Sequence, residues 1–218
     1  MKRTLTRSIL VTAATSLALT MTACGSDDSS DTSASSSSST SASQESSAPP
    51  MSDEPFGSGC AAVPTSGPGS FEGMSADPVA TAASNNPALS TLVKAVQAAN
   101  LVDTLNTTDD ITVLAPANPA FEAVPADALN GLLQNTPALT QVLTHHVIPG
   151  RLTPEELAGT HKTLNNDEVT ITGSGENFTI GADATVVGST QASVICGNVQ
   201  TANATVYIID QVLKPAGM

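Results

Sequence analysis

Few residues of this chain have side chains able to do chemistry. Three cysteines (Cys24, Cys60, Cys196), three histidines (His145, His146, His161) and the acidic pairs Asp109-Asp110, Glu155-Glu156 and Asp167-Glu168 stand out, with Asp210 near the C-terminal end. A zinc site needs three or four convergent ligands, and adjacent residues such as His145 and His146 point in different directions on a helix or a strand. The histidine pair therefore predicts no metal site. General acid-base work needs two carboxylates facing one substrate with separated pKa values, which adjacency in sequence does not supply. Asp109-Asp110 precedes a strand, Glu155-Glu156 suits the first turn of a helix, where negative charge meets the dipole, and Asp167-Glu168 suits a turn. The sequence has no EF-hand spacing, Gly-x-Ser-x-Gly elbow, phosphate loop or dinucleotide fingerprint. The expectation is a protein without cofactor or enzyme activity.

Composition narrows the partners. The 218 residues carry 20 Asp+Glu against 7 Lys+Arg, a formal charge of -13, with 2% aromatics and no Trp. Nucleic-acid binding draws on basic patches and stacking aromatics, and this chain has neither. Anionic lipid headgroups are equally poor partners. Hydrophobic content of 40% suits one globular domain with extensions.

The N-terminal residues have the anatomy of a secretory signal peptide over 1–23: Lys2, Arg3 and Arg7 precede an apolar stretch from Ile9 to Ala23. That stretch falls short of the ~20 mostly apolar residues of a permanent span. Its end, Met21-Thr22-Ala23-Cys24-Gly25-Ser26, resembles the bacterial lipobox, with Met21 in place of the usual Leu. The resemblance implies cleavage before Cys24 and lipidation of its thiol, which places the protein on the extracytoplasmic face of the membrane. Each buried lipid methylene contributes about 0.8 kcal/mol, so two or more chains hold a protein firmly. Losing Lys2, Arg3 and Arg7 takes the formal charge from -13 to -16. Residues 24–55 form a tether: 13 of the 25 residues from Ser26 to Pro50 are Ser, and none is a large apolar residue. Such a segment cannot offset the entropy of ordering, and as a flexible coil it reaches roughly 25 to 30 Å. Its Ser/Thr tract is open to O-glycosylation.

With Cys24 assigned to lipid, Cys60 and Cys196 are an even pair in an exported chain. One intramolecular disulfide is expected, tying a Cys-containing leading segment (56–70) to the C-terminal part; free thiols and an intermolecular link are the alternatives. From Phe71 onward, prolines follow residues that cap helices: Asp77-Pro78, Asn86-Pro87, Asn118-Pro119, Thr136-Pro137 and Thr153-Pro154. Glu156 completes a capping box with Thr153. Leu89, Leu92, Val93 and Val96, and again Leu139, Val142 and Leu143, recur at the helical period. The second half turns to β-branched and aromatic runs at Val169–Thr172, Phe178–Ile180, Thr185–Val187 and Val206–Ile209. Helices followed by strands predict an α+β domain with helices packed on a mainly antiparallel sheet.

Three ordered segments carry a family resemblance. Ile111-Thr112-Val113-Leu114-Ala115-Pro116-Ala117-Asn118-Pro119-Ala120-Phe121 resembles the first signature of the fasciclin (FAS1) domain, and Val206-Tyr207-Ile208-Ile209-Asp210-Gln211-Val212-Leu213-Lys214-Pro215 resembles the second. Between them, Val142-Leu143-Thr144-His145-His146-Val147-Ile148-Pro149-Gly150 is similar to the central Tyr-His segment. The resemblance covers residues 71–218. Together with the Cys60 and Cys196 pattern, it is strongest to secreted and lipid-anchored fasciclin proteins of mycobacteria and other actinobacteria. It implies a single FAS1 domain, a wedge-like β-sandwich with helices on one side, whose role is adhesion or protein interaction at the cell surface. His145 stands where many members carry the Tyr associated with adhesion, so that activity does not transfer directly. His146 matches the family His, expected to secure neighbouring backbone. Asp210 either faces a partner or bonds nearby amides. His145, His146 and Asp210 are therefore the candidate partner-binding residues of a monomer anchored through Cys24. The alternatives are a small-molecule or lipid carrier with a cavity between sheet and helices, and a structural envelope component.

Overall fold

The computed structural model describes residues 54–216 and 218, so the expected signal peptide, Cys24 and most of the Ser-rich tether lie outside the described residues. The fold is built around two strands, β1 (Ile111–Pro116) and β7 (Ala204–Ile209), buried at every position. They pair in parallel, with Ile111 opposite Ala204 and Pro116 opposite Ile209. Parallel strands covered on both faces have near-continuous apolar runs, and these two do. Alternation along them feeds two cores. Ile111, Val113, Ala115, Val206 and Ile208 join a cluster on the helical side, while Leu114, Tyr207 and Ile209 join a second cluster on the opposite side.

The remaining strands are β2 (Val147–Pro149), β3 (Gly159–Lys162), β4 (Glu168–Ser174), β5 (Asn177–Ile180) and β6 (Ala192–Gln200). All their pairings are antiparallel, and the sheet order is β2-β1-β7-β6-β5-β4-β3. Register shifts in β6 between Val194 and Cys196, and between Cys196 and Val199, mark bulges, which bend a strand and increase its twist. Val169, Ile171, Phe178 and Ile180 of the outer strands accordingly share one buried cluster with Leu114, Ile148 and Tyr207. The sheet's two ends also approach each other, where the Leu164 N–H donates to the Val147 carbonyl at 2.8 Å. The product is a wedge whose inner faces pack on one another. On the outside, Thr160 bonds Thr170 and Thr172 bonds Thr179, each at 3.1 Å, in an exposed row of hydroxyls.

Helices α1 (Phe71–Ala76), α2 (Val79–Asn85), α3 (Ser90–Ala98) and α4 (Val102–Thr107) precede β1. Helices α5 (Asn118–Glu122), α6 (Ala126–Gln134) and α7 (Thr136–His145) lie between β1 and β2, and α8 (Pro154–Leu157) follows β2. All but α8 face the helical-side cluster, so helices cover one side of the sheet. Pro119, Pro137 and Pro154 sit in the first turns of α5, α7 and α8, while Pro78 directly precedes α2 and Pro87 opens a 3-10 turn (Pro87–Leu89) that leads into α3; the caps also differ. The Thr153–Glu156 capping box forms as expected, whereas α7 is capped by Asn135, whose side chain accepts from the Ala138 N–H at 3.2 Å. Asp77 caps nothing, and the Val79 N–H is satisfied instead by the Asn203 side chain at 2.8 Å, from 124 residues away.

Two strand expectations are corrected. Thr185–Val187 contributes a single bridge, Thr185 opposite Leu213, because the 3-10 turn Ala182–Ala184 precedes it and its hydroxyl donates to local carbonyls. Strand β6 lies where no run was expected, since Gly197 and Asn198 interrupt its apolar pattern. The leading segment belongs to the fold: Phe56 pairs with Gly197, and Cys60 forms the disulfide with Cys196. A side chain at Gly197 would collide with the Phe56 ring, which lies 6.1 Å from the Phe178 ring centroid and 6.4 Å from that of Tyr207.

Candidate functional site

The histidine pair sits where α7 passes into β2. Leu139, Val142 and Leu143 bury one face of α7, and the chain then enters the sheet within two residues, which carries both histidines inward. His145 is 2% exposed and His146 3%. His146 Nδ1 lies 2.7 Å from the Val142 carbonyl, which can only accept, and Nε2 lies 3.0 Å from the Leu213 N–H, which can only donate. The ring is therefore neutral, with its proton on Nδ1. Burial lowers its pKa from 6.5 to about 4; the bond to Val142 opposes the shift and neighbouring His145 adds to it. This is the backbone-securing role expected of His146, and what it secures is the segment after β7.

His145 donates from Nδ1 to Asp167 Oδ1 at 2.8 Å. Asp167 also accepts from the Thr163 hydroxyl, from Asn165 Nδ2 at 3.0 Å and from the Ala216 N–H at 3.3 Å. Burial acts to raise the pKa of this carboxyl, but the hydrogen bonds from Thr163, His145 and Asn165 outweigh it and hold the pKa at about 2. Both histidines thus tie down the C-terminal residues, His146 through Leu213 and His145 through Asp167 and Ala216. Among the described residues, His145 Nε2 has no partner.

Asp210 is elsewhere in the network: Oδ1 accepts from the Ser193 N–H at 2.7 Å, and the Asp210 N–H donates to the Ser193 carbonyl at 3.1 Å. It bonds nearby amides and neither histidine. His161 donates to the Leu157 carbonyl at 2.9 Å and does not join the pair. The structure therefore sets His145, His146 and Asp210 on internal bonds rather than on one presenting patch, because the α7–β2 junction and the end of β7 both lie against core. Among the described residues, no three His, Cys, Asp or Glu side chains are grouped to hold a metal ion.

Other residues with long-range roles gave weaker sequence signals. Asn118 opens α5 but bonds outward, accepting from the Thr91 N–H at 3.0 Å and donating to the Pro87 carbonyl at 2.8 Å, so it fixes the start of α3. Its place in the first signature was the available clue. Asn203 donates to the Leu105 and Thr108 carbonyls at 2.7 Å each while capping α2. Arg151 donates to the Thr201 and Ala202 carbonyls at 2.8 Å, bracing the turn into β7. Tyr207 is fully buried and donates to the Leu152 carbonyl at 2.9 Å; burial, reinforced by the charge of Glu156, pushes its phenol pKa upward.

A bent mixed sheet with helices on one side, two signature strands paired in parallel at its centre and a buried histidine tied to the C-terminal segment define a wedge-type α+β domain. The fasciclin domain family model matches residues 87–215, and the chain belongs to that family. It is 45% identical over 177 residues to the immunogenic protein MPB70 of Mycobacterium bovis, covering 78% of this chain and 86% of that protein. It is 45% identical over 167 residues to the cell surface glycolipoprotein MPB83 of Mycobacterium bovis, covering 73% of this chain and 71% of that protein. Among solved structures it is similar to a FAS1 domain pair from the insect cell adhesion molecule fasciclin I, with a TM-score of 0.52 and 16% identity over 67% of this chain. The chain spans about half the length of that pair, at 52%.

Proposed function

We propose that the protein is anchored in the membrane by lipid on Cys24 and displays its FAS1 domain on a Ser-rich tether for adhesion or protein interaction, by binding and not by catalysis. The observation that carries this reading is the lipobox-like Met21-Thr22-Ala23-Cys24 in a chain 45% identical to a protein named as a cell surface glycolipoprotein. The domain acts as a monomer toward a host, matrix or envelope protein. With His145 and His146 buried, partner contact falls on exposed groups, for which the hydroxyl row of Thr160, Thr170 and Thr172 is the candidate.

Two experiments test this. Cys24→Ala should move the protein from the membrane fraction to the medium or leave the signal peptide uncleaved; normal processing and retention would contradict the anchor. In cell-adhesion and pull-down assays, Thr170→Lys with Thr172→Lys should lower binding of a protein that keeps its unfolding midpoint. Unchanged binding would move the contact to another face.

A further inference from the structure

Helix α6 covers more than it fills. It buries no residue fully, and its Leu133 is 38% exposed. Beneath it, between α3, α5 and α7, lies a cavity of about 80 Å³ walled by Phe121, Val124, Leu129, Leu132, Leu139 and Val142. Its apolar walls offer water few of the two to four polar partners that a buried water needs. Leu143 and His146 line this cavity and also a second, mainly apolar one of about 50 Å³ between α1–α4 and the sheet. With both ring nitrogens engaged by backbone, His146 offers neither cavity a free polar atom.

Beside this neutral His146, Lys94 on α3 is the one charged side chain in the wall of the α6 cavity. It is exposed, and among the described residues no carboxylate pairs with it. Thr91, one turn earlier on the same helix face, lines the cavity with it. The chain's net charge of -13 opposes anions in general, so it is the local unpaired Lys94 beside the apolar cavity that favours an anionic head on an apolar body. The volume limits what enters without movement: the engineered apolar cavity that accepts a benzene ring measures about 150 Å³, so about 80 Å³ takes only the terminal carbons of an alkyl chain. A tail longer than the cavity needs the cover to shift, and a helix with few buried contacts opens at low free energy.

We propose that this cavity binds the tail of a linear fatty acid, with the carboxylate on Lys94 and helix α6 as the displaceable cover. The proposal is independent of the adhesive role. It is tested on the full chain carrying Cys24→Ser by calorimetry and methyl NMR, with octanoate as the probe and 1-octanol and octylamine as head-group controls. Octanoate should shift the methyl resonances of Leu129, Leu132, Leu139 and Val142 saturably. Lys94→Gln should weaken octanoate about fivefold, the upper end for an exposed ion pair, and leave octanol unchanged. Leu132→Trp, which fills the cavity from the cover, should abolish binding of both; Ala95→Val fills it from α3 and serves if the first variant does not fold. Absence of cavity methyl shifts, or undiminished octanoate binding by a folded cavity-filling variant, would overturn the proposal. Octylamine binding as tightly as octanoate, or Lys94→Gln without effect on octanoate, would overturn it at the head group.

Discussion

The β1–β7 centre and helix α6 belong to one domain yet are held in opposite ways. Every residue of the two strands is buried, and Leu114, Tyr207 and Ile209 have no exposure at all, whereas α6 has no buried residue and leaves an apolar cavity beneath it. The centre is fixed by two cores, by the parallel ladder and by polar ties from Asn203, Arg151 and His146. The cover rests on Leu129 and Leu132, both only partly buried. Stability and access are thereby separated: the centre carries the fold, and a neighbouring element can move without unfolding it.

The largest loss of stability is expected at the centre. Tyr207→Ala removes a fully buried ring and its bond to the Leu152 carbonyl, and should cost about 4 kcal/mol in urea unfolding, within the range for large aromatic deletions. A loss below about 1 kcal/mol would mean the centre does not anchor the fold. Replacing Cys60 and Cys196 by Ser frees the leading segment beside β6 and should cost about 3 kcal/mol, read the same way.

Acid tests the tie between the centre and the C-terminal residues. His146 is neutral when folded, with a pKa lowered from 6.5 to about 4, so the unfolded chain binds a proton first as pH falls. The stability it contributes is complete above about pH 6.5, is lost progressively down to about pH 4, and amounts to about 3 kcal/mol over that window. Asp167, lowered from 3.8 to about 2, acts at lower pH, its contribution draining away between those values. His146→Gln should flatten the upper limb of the profile and leave the lower one; an unchanged upper limb would show that another group sets it. The smallest effect belongs to the cover: Leu133→Ser on α6 should change stability by no more than about 0.5 kcal/mol, as for ordinary surface positions.

What the sequence revealed follows the same division. Strands β1 and β7 and the α7–β2 junction were legible because their continuous apolar runs and His146 are the family's signatures, and helix starts were legible because Pro at the first turn loses no hydrogen bond. Cys60 and Cys196 were legible as a pair because they are the two cysteines left once Cys24 is set aside in a chain expected to be exported. Less was visible where partners are far apart: Asp167 looked like a turn carboxylate, and its bond to His145 spans 22 residues. The Asn203 cap on α2 spans 124. Strand β6 escaped because its bulges break the period-two pattern. The cavity under α6 escaped for a different reason, since Leu129, Leu132 and Leu133 look like an ordinary apolar helix face and only the fold shows that the face is not filled.

Native-state hydrogen exchange tests the central division most directly, because each amide reports the free energy at which its own bond opens. Amides of Val113, Leu114, Tyr207 and Ile208 should exchange only with global unfolding, while those of Leu132 and Leu133 in α6 should exchange through an opening several kcal/mol lower in free energy and insensitive to Tyr207→Ala. Exchange of the α6 amides at the same free energy as β1 and β7 would contradict that division.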